Sequence, residues 1–371
     1  MIKSAWLTVA MTLGSVLASA QEPPDNRRID FPDVPGYLTL KCDLHIHTVF
    51  SDGAVWPDIR VREAVKDGLD AISLTEHLEY QPHKDDIPHP DRNRSYELAL
   101  DYARDHSLLI IHGSEITREM PPGHSNAIFI EDANLLLKDD VLESFREARR
   151  QGAFIFWNHP NWTSQAPDGI ARLSEMHRQL IAENLLNGIE VVNETTMSEE
   201  ALEIALDNNL TIMGTSDIHG LVDWMFEVPE GGHRPITLVF AQERTKESIR
   251  EALFAGRTVA WYRNDLIGKA ELVQPLLEAS IRVTDANYQD DTTVANVSIE
   301  NITDASFVLL NESDFSFHEH NDLVVLEAHA TTELQVKTGT RRSELELSFR
   351  VLNALTSPKT HPAITLTVHT Q

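Results

Sequence analysis

Short apolar runs alternate with helix-like segments from Tyr37 to about Phe240. The apolar runs have the length of strands: LTLKCDLHIHT, LDAISL, SLLIIHGS, GAFIFWN and LTIMGTS. Amphipathic segments such as IRVREAVKDG, VLESFREARRQG and SEEALEIALDNN separate them. This alternation is typical of a parallel sheet or barrel covered by helices. The pattern predicts an α/β barrel that the helix ESIREALFAG and the strand RTVAWY complete near Asn264.

The pattern changes after Leu266. Apolar and polar residues then alternate at short intervals in LLEASIRVTDA, ANVSIENIT, ASFVLLNES, LVVLEAHA, TELQVKT, SELELSFRVLN and ITLTVHT. Such alternation predicts antiparallel strands that bury one face, as in a β-sandwich. We therefore expect a barrel over residues 21–270 and an Ig-like β-sandwich over residues 271–371. The sandwich strands should begin at about Pro275 and carry no catalytic residue.

The predicted barrel strands end in residues that bind metals. The apolar runs lead into His45 and His47, Glu76 and His77, Glu115, His159, and Asp217 with His219. His124 precedes the short run SNAIFI, and Asp52 follows Ser51 in the sequence SDG. Residues two apart on a strand share a face, and the carboxyl ends of parallel barrel strands meet at one mouth. The sequence therefore predicts a metal site at that mouth.

The ligand types limit which metals fit. Imidazole and carboxylate groups together suit Zn²⁺, Mn²⁺ or Fe²⁺ better than Mg²⁺ or Ca²⁺. Cys42 is the only cysteine, so a thiolate zinc knot is excluded. Glu115 is the natural bridge, because a carboxylate can give one oxygen to each of two cations roughly 3.5–4 Å apart.

Three of these candidate ligands also have an ordinary structural interpretation. Asp52 lies in a sequence that is common in turns. His124 follows Pro121-Pro122-Gly123 and could be a loop residue. Glu76 competes with His77 for the inward position at the end of its strand.

Six ordered motifs between Lys41 and Leu221, DLHIHTVFSDG, LTEH, GSEIT, GHSNAI, NHP and TSDIHG, resemble the polymerase-and-histidinol-phosphatase (PHP) family of metallophosphoesterases. The resemblance implies a distorted seven-stranded β/α barrel with two to three divalent transition metals. It assigns the first metal to His45, His47, Glu115 and Asp217, the second to Glu115, His124 and His159, and the third to Asp52, His77 and His219. The signal-like N-terminus and the β-rich C-terminal part further resemble the exported Sb-PDE-type phosphodiesterase branch of the family.

The N-terminus and the net charge bear on location and partners. Residues 1–20 contain Lys3, an apolar stretch and Ala18-Ser19-Ala20, which is typical of a signal peptide; a retained anchor is the alternative. We predict an exported protein, periplasmic or extracellular, with no membrane span in the mature chain. The formal charge of −27 opposes nucleic acid and anionic membranes and favours a small phosphate-ester substrate.

These features predict a secreted phosphodiesterase in which a metal-bridging hydroxide attacks phosphorus in line. Glu115, Asp217 and His219 are the predicted catalytic residues. Arg118 is a candidate clamp for a phosphate oxygen, with a surface ion pair as its alternative. The leaving oxygen would take its proton from His219 or from metal-bound water.

A diester is favoured because few basic residues lie beside the motifs. Trp162 and the insertion Gln81–Arg94 are candidates to accommodate the second ester group. Two alternatives stay open: a phosphomonoesterase, and a non-catalytic metal-binding module with an adhesive β-domain.

Overall fold

The computed structural model describes residues 27–87 and 89–370. The predicted signal peptide, residues 1–20, lies outside these residues. In the described part of the chain, none of the helices combines the length and the apolar character that crossing a bilayer requires.

The first part of the chain alternates strands and helices. Its strands are β1 (Leu38–Ile46), β2 (Ala71–Leu74), β3 (Leu109–Ile116), β4 (Ser125–Ile128), β5 (Phe154–Trp157), β6 (Gly188–Asn193), β7 (Thr196–Met197), β8 (Thr211–Thr215), β9 (Ile236–Ala241), β10 (Thr258–Tyr262) and β11 (Asp265–Gly268). Its helices are α1 (Pro57–Lys66), α2 (Arg94–Ala103), α3 (Val141–Arg150), α4 (Glu175–Ala182), α5 (Glu199–Asp207), α6 (Val222–Met225), α7 (Lys246–Phe254) and α8 (Ala270–Ser280), with 3-10 turns at Ala133–Leu136 and Val228–Glu230.

Local sequence explains where these helices begin and which face they bury. Helix α3 begins after Asp140, whose side chain accepts a hydrogen bond from the backbone N–H of Leu142. It buries Ser144, Phe145 and Ala148, which lie on one helical face. Helices α5 and α7 likewise bury part of their surface and contact β6 and β9 of the sheet.

The strands form one curled sheet in the order β11-β10-β9-β1-β2-β3-β4-β5-β6, and both β7 and β8 pair with β6. The curl brings β8 back towards β1, where a single parallel bridge joins Ile46 to Ile218. Strands β1, β2, β3, β5, β6 and β8 run in one direction.

Not every strand follows the direction expected for a parallel barrel. Strand β4 is antiparallel to β3 and β5, and β9 is antiparallel to β1. Because β4 runs the opposite way, its beginning lies at the edge where its neighbours end, with Ser125 opposite both Ile116 and Trp157. His124 therefore reaches the same mouth as the residues that follow the parallel strands.

The remaining strands are β12 (Ile281–Tyr288), β13 (Val294–Asn301), β14 (Phe307–Asn311), β15 (Ser316–Phe317), β16 (Leu323–Leu326), β17 (Thr331–Lys337), β18 (Glu344–Val351), β19 (Ala354–Leu355) and β20 (Ala363–His369). They form two antiparallel sheets, β12-β13-β17-β15 and β16-β14-β18-β20, while β19 extends the barrel sheet beside β11. Alternate residues such as Val297, Phe307, Leu334 and Phe349 are fully buried between the two sheets. The predicted fold class, a barrel followed by a β-sandwich, is confirmed.

The predicted start of the sandwich strands at about Pro275 is wrong. Residues Ala270–Ser280 form helix α8, and the first sandwich strand begins at Ile281. The helix buries Val273, Leu276 and Leu277, and it contacts β10 and β11 on one side and β12 and β20 on the other. The division predicted after residue 270 falls at the start of this connecting helix.

Candidate metal centre

The ends of β1 and β8 are joined by backbone hydrogen bonds and by one buried arginine. The N–H of Asp217 donates to the carbonyl of His45 at 2.9 Å, and the N–H of His47 donates to the carbonyl of Ile218 at 3.1 Å. Arg60 is fully buried, and its guanidinium donates to the carbonyls of His47, Ile218 and His219 at 2.9, 3.1 and 2.9 Å. These contacts fix the backbone that carries both His-containing pairs.

His45, His47 and Asp217 form the first of three groups of side chains that could hold an ion. Oδ1 of Asp217 lies 3.0 Å from Nε2 of His45 and 3.1 Å from Nε2 of His47. The two imidazole Nε2 atoms are 3.0 Å apart. Three ligand atoms thus converge on one point in the barrel mouth.

The second group consists of His77, Glu115 and His124. Oε2 of Glu115 lies 2.7 Å from Nδ1 of His77, and Oε1 lies 2.9 Å from Nδ1 of His124. Nε2 of His159 is 3.6 Å from Glu115 Oε1. Because Oε2 is also 3.5 Å from Nε2 of His47, the Glu115 carboxylate lies between the first and second groups.

The third group contains Asp52, His77 and His219 together with His47. Oδ1 of Asp52 is 3.1 Å from Nε2 of His219 and 3.7 Å from Nδ1 of His47, and Oδ2 is 3.3 Å from Nε2 of His77. His47 and His77 therefore each present one ring nitrogen to this group and the other to a neighbouring group. The structure brings all nine predicted ligands together.

Several buried polar atoms in this cluster have no hydrogen-bond partner among the described residues. They are Oε2 of Glu115, Oδ1 of Asp217, Nδ1 of His124 and Nδ1 of His159. An unpaired buried polar atom is costly, and bound divalent cations would satisfy the carboxylate oxygens and imidazole lone pairs that lie here. The residues present therefore fit a multinuclear site for divalent metals.

Electrostatic coupling within the cluster is strong. Burial opposes ionisation of Asp217, but His45, His47 and His159 outweigh it and hold the pKa of that carboxyl below its usual range. Burial would likewise lower the pKa of His77, yet Glu115 and Asp52 raise it to about 11. Protons and metal ions therefore compete for the same nitrogen and oxygen atoms.

His47 is the exception among the imidazoles. Burial, with the neighbouring His219, lowers its pKa to about 3, so this ring stays neutral at any ordinary pH. A neutral ring keeps one nitrogen lone pair available. His47 is thus ready to act as a ligand without losing a proton.

The choice between Glu76 and His77 is resolved by their contacts. Glu76 accepts hydrogen bonds from the backbone N–H and hydroxyl of Thr48 and from the hydroxyl of Ser51, at 3.1, 2.5 and 2.6 Å. It supports the turn that carries Asp52. His77, not Glu76, contacts the other candidate ligands.

Arg118 forms no ion pair with the candidate ligands among the described contacts. Its guanidinium pairs with Glu79 at 2.9 Å and donates to the carbonyl of Lys138. Among the described ion pairs, the carboxylates of Asp52, Glu115 and Asp217 have only histidine partners. The structure thus favours the ion-pair interpretation of Arg118 over a phosphate clamp.

Sequence reasoning missed Glu190, a fully buried carboxylate behind the cluster. Its Oε1 accepts from Nδ1 of His45 at 2.8 Å and from the Thr215 hydroxyl at 2.6 Å. Its Oε2 accepts from the backbone N–H of His159 at 2.6 Å and from Nδ2 of Asn193 at 2.9 Å. A signal was present, because Glu190 is the only charged residue in the apolar strand GIEVVN.

Two asparagines that the sequence analysis also missed orient the carboxylates. Nδ2 of Asn158 donates to Oε1 of Glu115 at 2.8 Å, and Nδ2 of Asn193 donates to Oδ2 of Asp217 at 3.2 Å. Each asparagine leaves the other carboxylate oxygen directed to the imidazoles. Partners of this kind behind a metal ligand usually tune its affinity.

Taken together, the curled barrel and the His- and carboxylate-lined mouth define a metal-dependent hydrolase of the PHP type. The PHP domain model matches residues 43–217, and an Ig-like domain model matches residues 281–367. The search of curated proteins found no significant match.

Solved structures extend this comparison. A two-domain protein from Bacteroides vulgatus that contains a predicted PHP-like metal-dependent phosphoesterase is 41% identical, with a TM-score of 0.86; the match covers 92% of this chain and 98% of that one. The chain therefore belongs to the PHP-like metal-dependent phosphoesterases. PsfC from Pseudomonas syringae is 14% identical, with a TM-score of 0.42 and coverage of 65% and 96%.

Proposed function

We propose that this protein is a phosphodiesterase that uses two to three Zn²⁺, Mn²⁺ or Fe²⁺ ions. The convergence of nine ligand side chains, four of which carry buried atoms without partners, is the observation that supports it. His45, His47 and Asp217 would hold one ion, Glu115 with His124 and His159 a second, and Asp52 with His77 and His219 a third. When bound, the metals supply a water of lowered pKa as nucleophile and positive charge for the phosphoryl oxygens.

The protein's own contribution is to hold and orient these ligands. Glu190 accepts the Nδ1 proton of His45, which leaves Nε2 of that ring with its lone pair towards the mouth. Asn158 holds one oxygen of Glu115. Glu115 lies close to ligands of all three groups, and it is the residue on which a shared bridge would depend.

His219 is the candidate donor of a proton to the leaving oxygen. Its side chain is 35% exposed, the largest value among the nine candidate ligands. Nδ1 donates to the carbonyl of Asp217 at 2.7 Å, so Nε2, which faces Asp52, would carry the transferable proton only while no third ion is bound to it. A metal-bound water is the alternative donor.

The preference for a diester rests on the scarcity of cations at the mouth. A monoester dianion usually needs several Arg or Lys side chains beside the metals. Arg118 is paired with Glu79, and the donors of Arg60 are occupied by Glu63 and by three backbone carbonyls. A diester carries one charge, which the metals alone could balance.

Hydrolysis of bis(p-nitrophenyl) phosphate and of p-nitrophenyl phosphate by the same metal-loaded preparation tests the proposal. We expect a higher kcat/KM for the diester and loss of both activities in the metal-free protein. A clearly higher kcat/KM for the monoester would make the protein a phosphomonoesterase. Absence of turnover at full metal content would favour the non-catalytic module with an adhesive β-domain.

We also propose that the protein is exported and that the β-sandwich carries no catalytic group. Export rests on the signal-like residues 1–20, and determination of the mature N-terminus after expression in the native host tests it; an intact Met1 in the soluble fraction would contradict export. The placement in the exported phosphodiesterase branch stays a prediction. It depends on the diester preference and on the mature N-terminus.

A further inference from the structure

Two large aromatic side chains lie half-exposed beside the candidate metal centre. Trp162 is 44% exposed and Tyr80 is 52% exposed, although side chains of this size are usually buried. The indole of Trp162 lies 5.2 Å from the ring of His159 and 5.7 Å from that of His124. The ring of Tyr80 lies 5.7 Å from that of His77.

These rings form a continuous row along one side of the mouth. His77 and His124 are themselves in edge contact, with ring centres 5.4 Å apart. We define the aromatic wall as Tyr80, His77, His124 and Trp162, in that spatial order. The two imidazoles belong to the candidate centre, so both exposed rings adjoin candidate metal ligands.

The backbone on both sides of the wall is fixed. The N–H of Trp162 donates to the carbonyl of His159 at 2.9 Å, and the carbonyl of Trp162 accepts from Ala166 at 2.7 Å. Beside Tyr80, the side chain of Gln81 donates to the carbonyl of His77 at 2.6 Å. The backbone that carries both rings is therefore already ordered, which removes that part of the entropy cost of binding a ligand.

We propose that the aromatic wall binds a planar aromatic ring carried by one ester group of the substrate. This inference rests on the proposed phosphoesterase function and narrows it to aryl or nucleobase-containing phosphoesters. A ring stacked on an aromatic side chain strengthens binding by about 5- to 150-fold. Such stacking also gives selectivity that needs no cationic side chain.

Trp224 provides a matched control. It is 81% exposed and lies in α6, five residues after His219, but it makes no ring contact with any candidate ligand in the described residues. An exposed tryptophan outside the wall should have no effect on ring selectivity. Comparison of the Trp162 and Trp224 variants therefore distinguishes the effect of a position in the wall from that of losing an exposed tryptophan.

Binding of phenylphosphonate and of methylphosphonate to the metal-loaded protein, measured by calorimetry, tests the proposal. Their P–C bonds resist hydrolysis, so the measurement does not depend on turnover. We expect phenylphosphonate to bind at least about fivefold more tightly to the wild type. Trp162→Leu or Tyr80→Leu, according to the end of the wall on which the ring stacks, should reduce that ratio. Tyr80→Phe should retain it, and Trp224→Leu should leave it unchanged.

Equal affinities for the two phosphonates, no binding of either, or a ratio insensitive to both Trp162→Leu and Tyr80→Leu would overturn the proposal. Thermal melting checks that the variants fold. Turnover is measured separately with the phenyl and methyl esters of p-nitrophenyl phosphate, which share one leaving group. Ring-selective binding without turnover would remove the proposed phosphoesterase function but leave the binding wall in place.

Discussion

Replacement of Glu190 by glutamine tests whether the candidate centre depends on one buried carboxylate. Oε1 of Glu190 accepts from His45 and Thr215, and Oε2 accepts from His159 and Asn193. Glutamine has the same shape, but one acceptor oxygen becomes an NH₂ donor. Either orientation of the new amide therefore faces two donors of the native network.

The two orientations differ in cost. An NH₂ group towards His159 and Asn193 deprives two buried donors of an acceptor, at about 1–3 kcal/mol each. An NH₂ group towards Thr215 and His45 costs less, because the hydroxyl can turn and the imidazole can change tautomer. The proton of His45 would then sit on Nε2, the atom that lies 3.0 Å from Oδ1 of Asp217. That tautomer occupies the lone pair which the metal needs.

We expect Glu190→Gln to weaken metal binding about 10- to 100-fold, or about 1.4–2.7 kcal/mol, with little change in the stability of the metal-free protein. Competition with a chelator of known affinity measures the first quantity, and thermal melting measures the second. Glu175→Gln is the matched control, because that side chain is 96% exposed. Wild-type metal affinity in Glu190→Gln would refute the tautomer argument.

Three further changes test other parts of the molecule. Glu115→Gln removes the negative charge that lies between the ligand groups of the candidate metal centre. Elemental analysis should then find at least about one metal fewer per chain, and turnover should nearly vanish. Full metal content with activity would contradict a bridging role for Glu115. Arg234→Leu removes the guanidinium that contacts Asp43 and Asp67 at 3.1 and 2.7 Å. Asp43 is then buried without a cationic partner, while Asp67 keeps its ion pair with Arg27. Urea unfolding should show a loss of about 3–5 kcal/mol, and a loss within error of zero would refute it. Burial lowers the pKa of His177 to about 4, so between about pH 6.5 and 4 the unfolded chain binds more protons and stability falls as pH falls. Over this pH range the lowered pKa of His177 reduces the free energy of unfolding by on the order of 3 kcal/mol. His177→Gln should therefore flatten the dependence of that free energy on pH, as measured by unfolding at several pH values.

The ligands could be predicted because they share a simple topological property. Residues that follow parallel strands are brought to one edge by the sheet itself, so His45, Glu115 and Asp217 meet without any long-range information. His124 belongs to the same edge for the opposite reason, since it precedes the antiparallel strand β4. An ordered set of strand-end motifs therefore indicates the site even where the direction of one strand is misjudged.

Helix α8 was missed because its two signals conflict. Val273, Leu276, Leu277 and Ser280 have helical spacing and are all buried. Pro275 lies inside the helix, where it removes one backbone hydrogen bond and argues against helical structure. Packing against both the barrel and the sandwich outweighs that local penalty, and such packing is not visible in a single sequence.

The supporting residues could not be predicted for a different reason. Glu190 and Arg60 act through hydrogen bonds to partners that lie 145 and up to 159 residues away in sequence. Neither residue follows a strand or belongs to a ligand pair, so strand-end reasoning does not select them. Arg118 shows the converse, because closeness in sequence to Glu115 did not bring its guanidinium to the cluster.

The backbone at the mouth shows that ligand chemistry outweighs local conformational preference. His159 and Asp217 have φ values of 30° and 48°, in the left-handed region that glycine adopts most easily. Such a conformation costs on the order of 1–3 kcal/mol for other residues and persists only where surrounding contacts enforce it. Here the carboxylate of Glu190 accepts a hydrogen bond from the backbone N–H of His159, and the carbonyl of His45 accepts one from the backbone N–H of Asp217. Glycine would relieve the strain but would remove a candidate ligand, so the side chain rather than the backbone preference accounts for the residue at both positions.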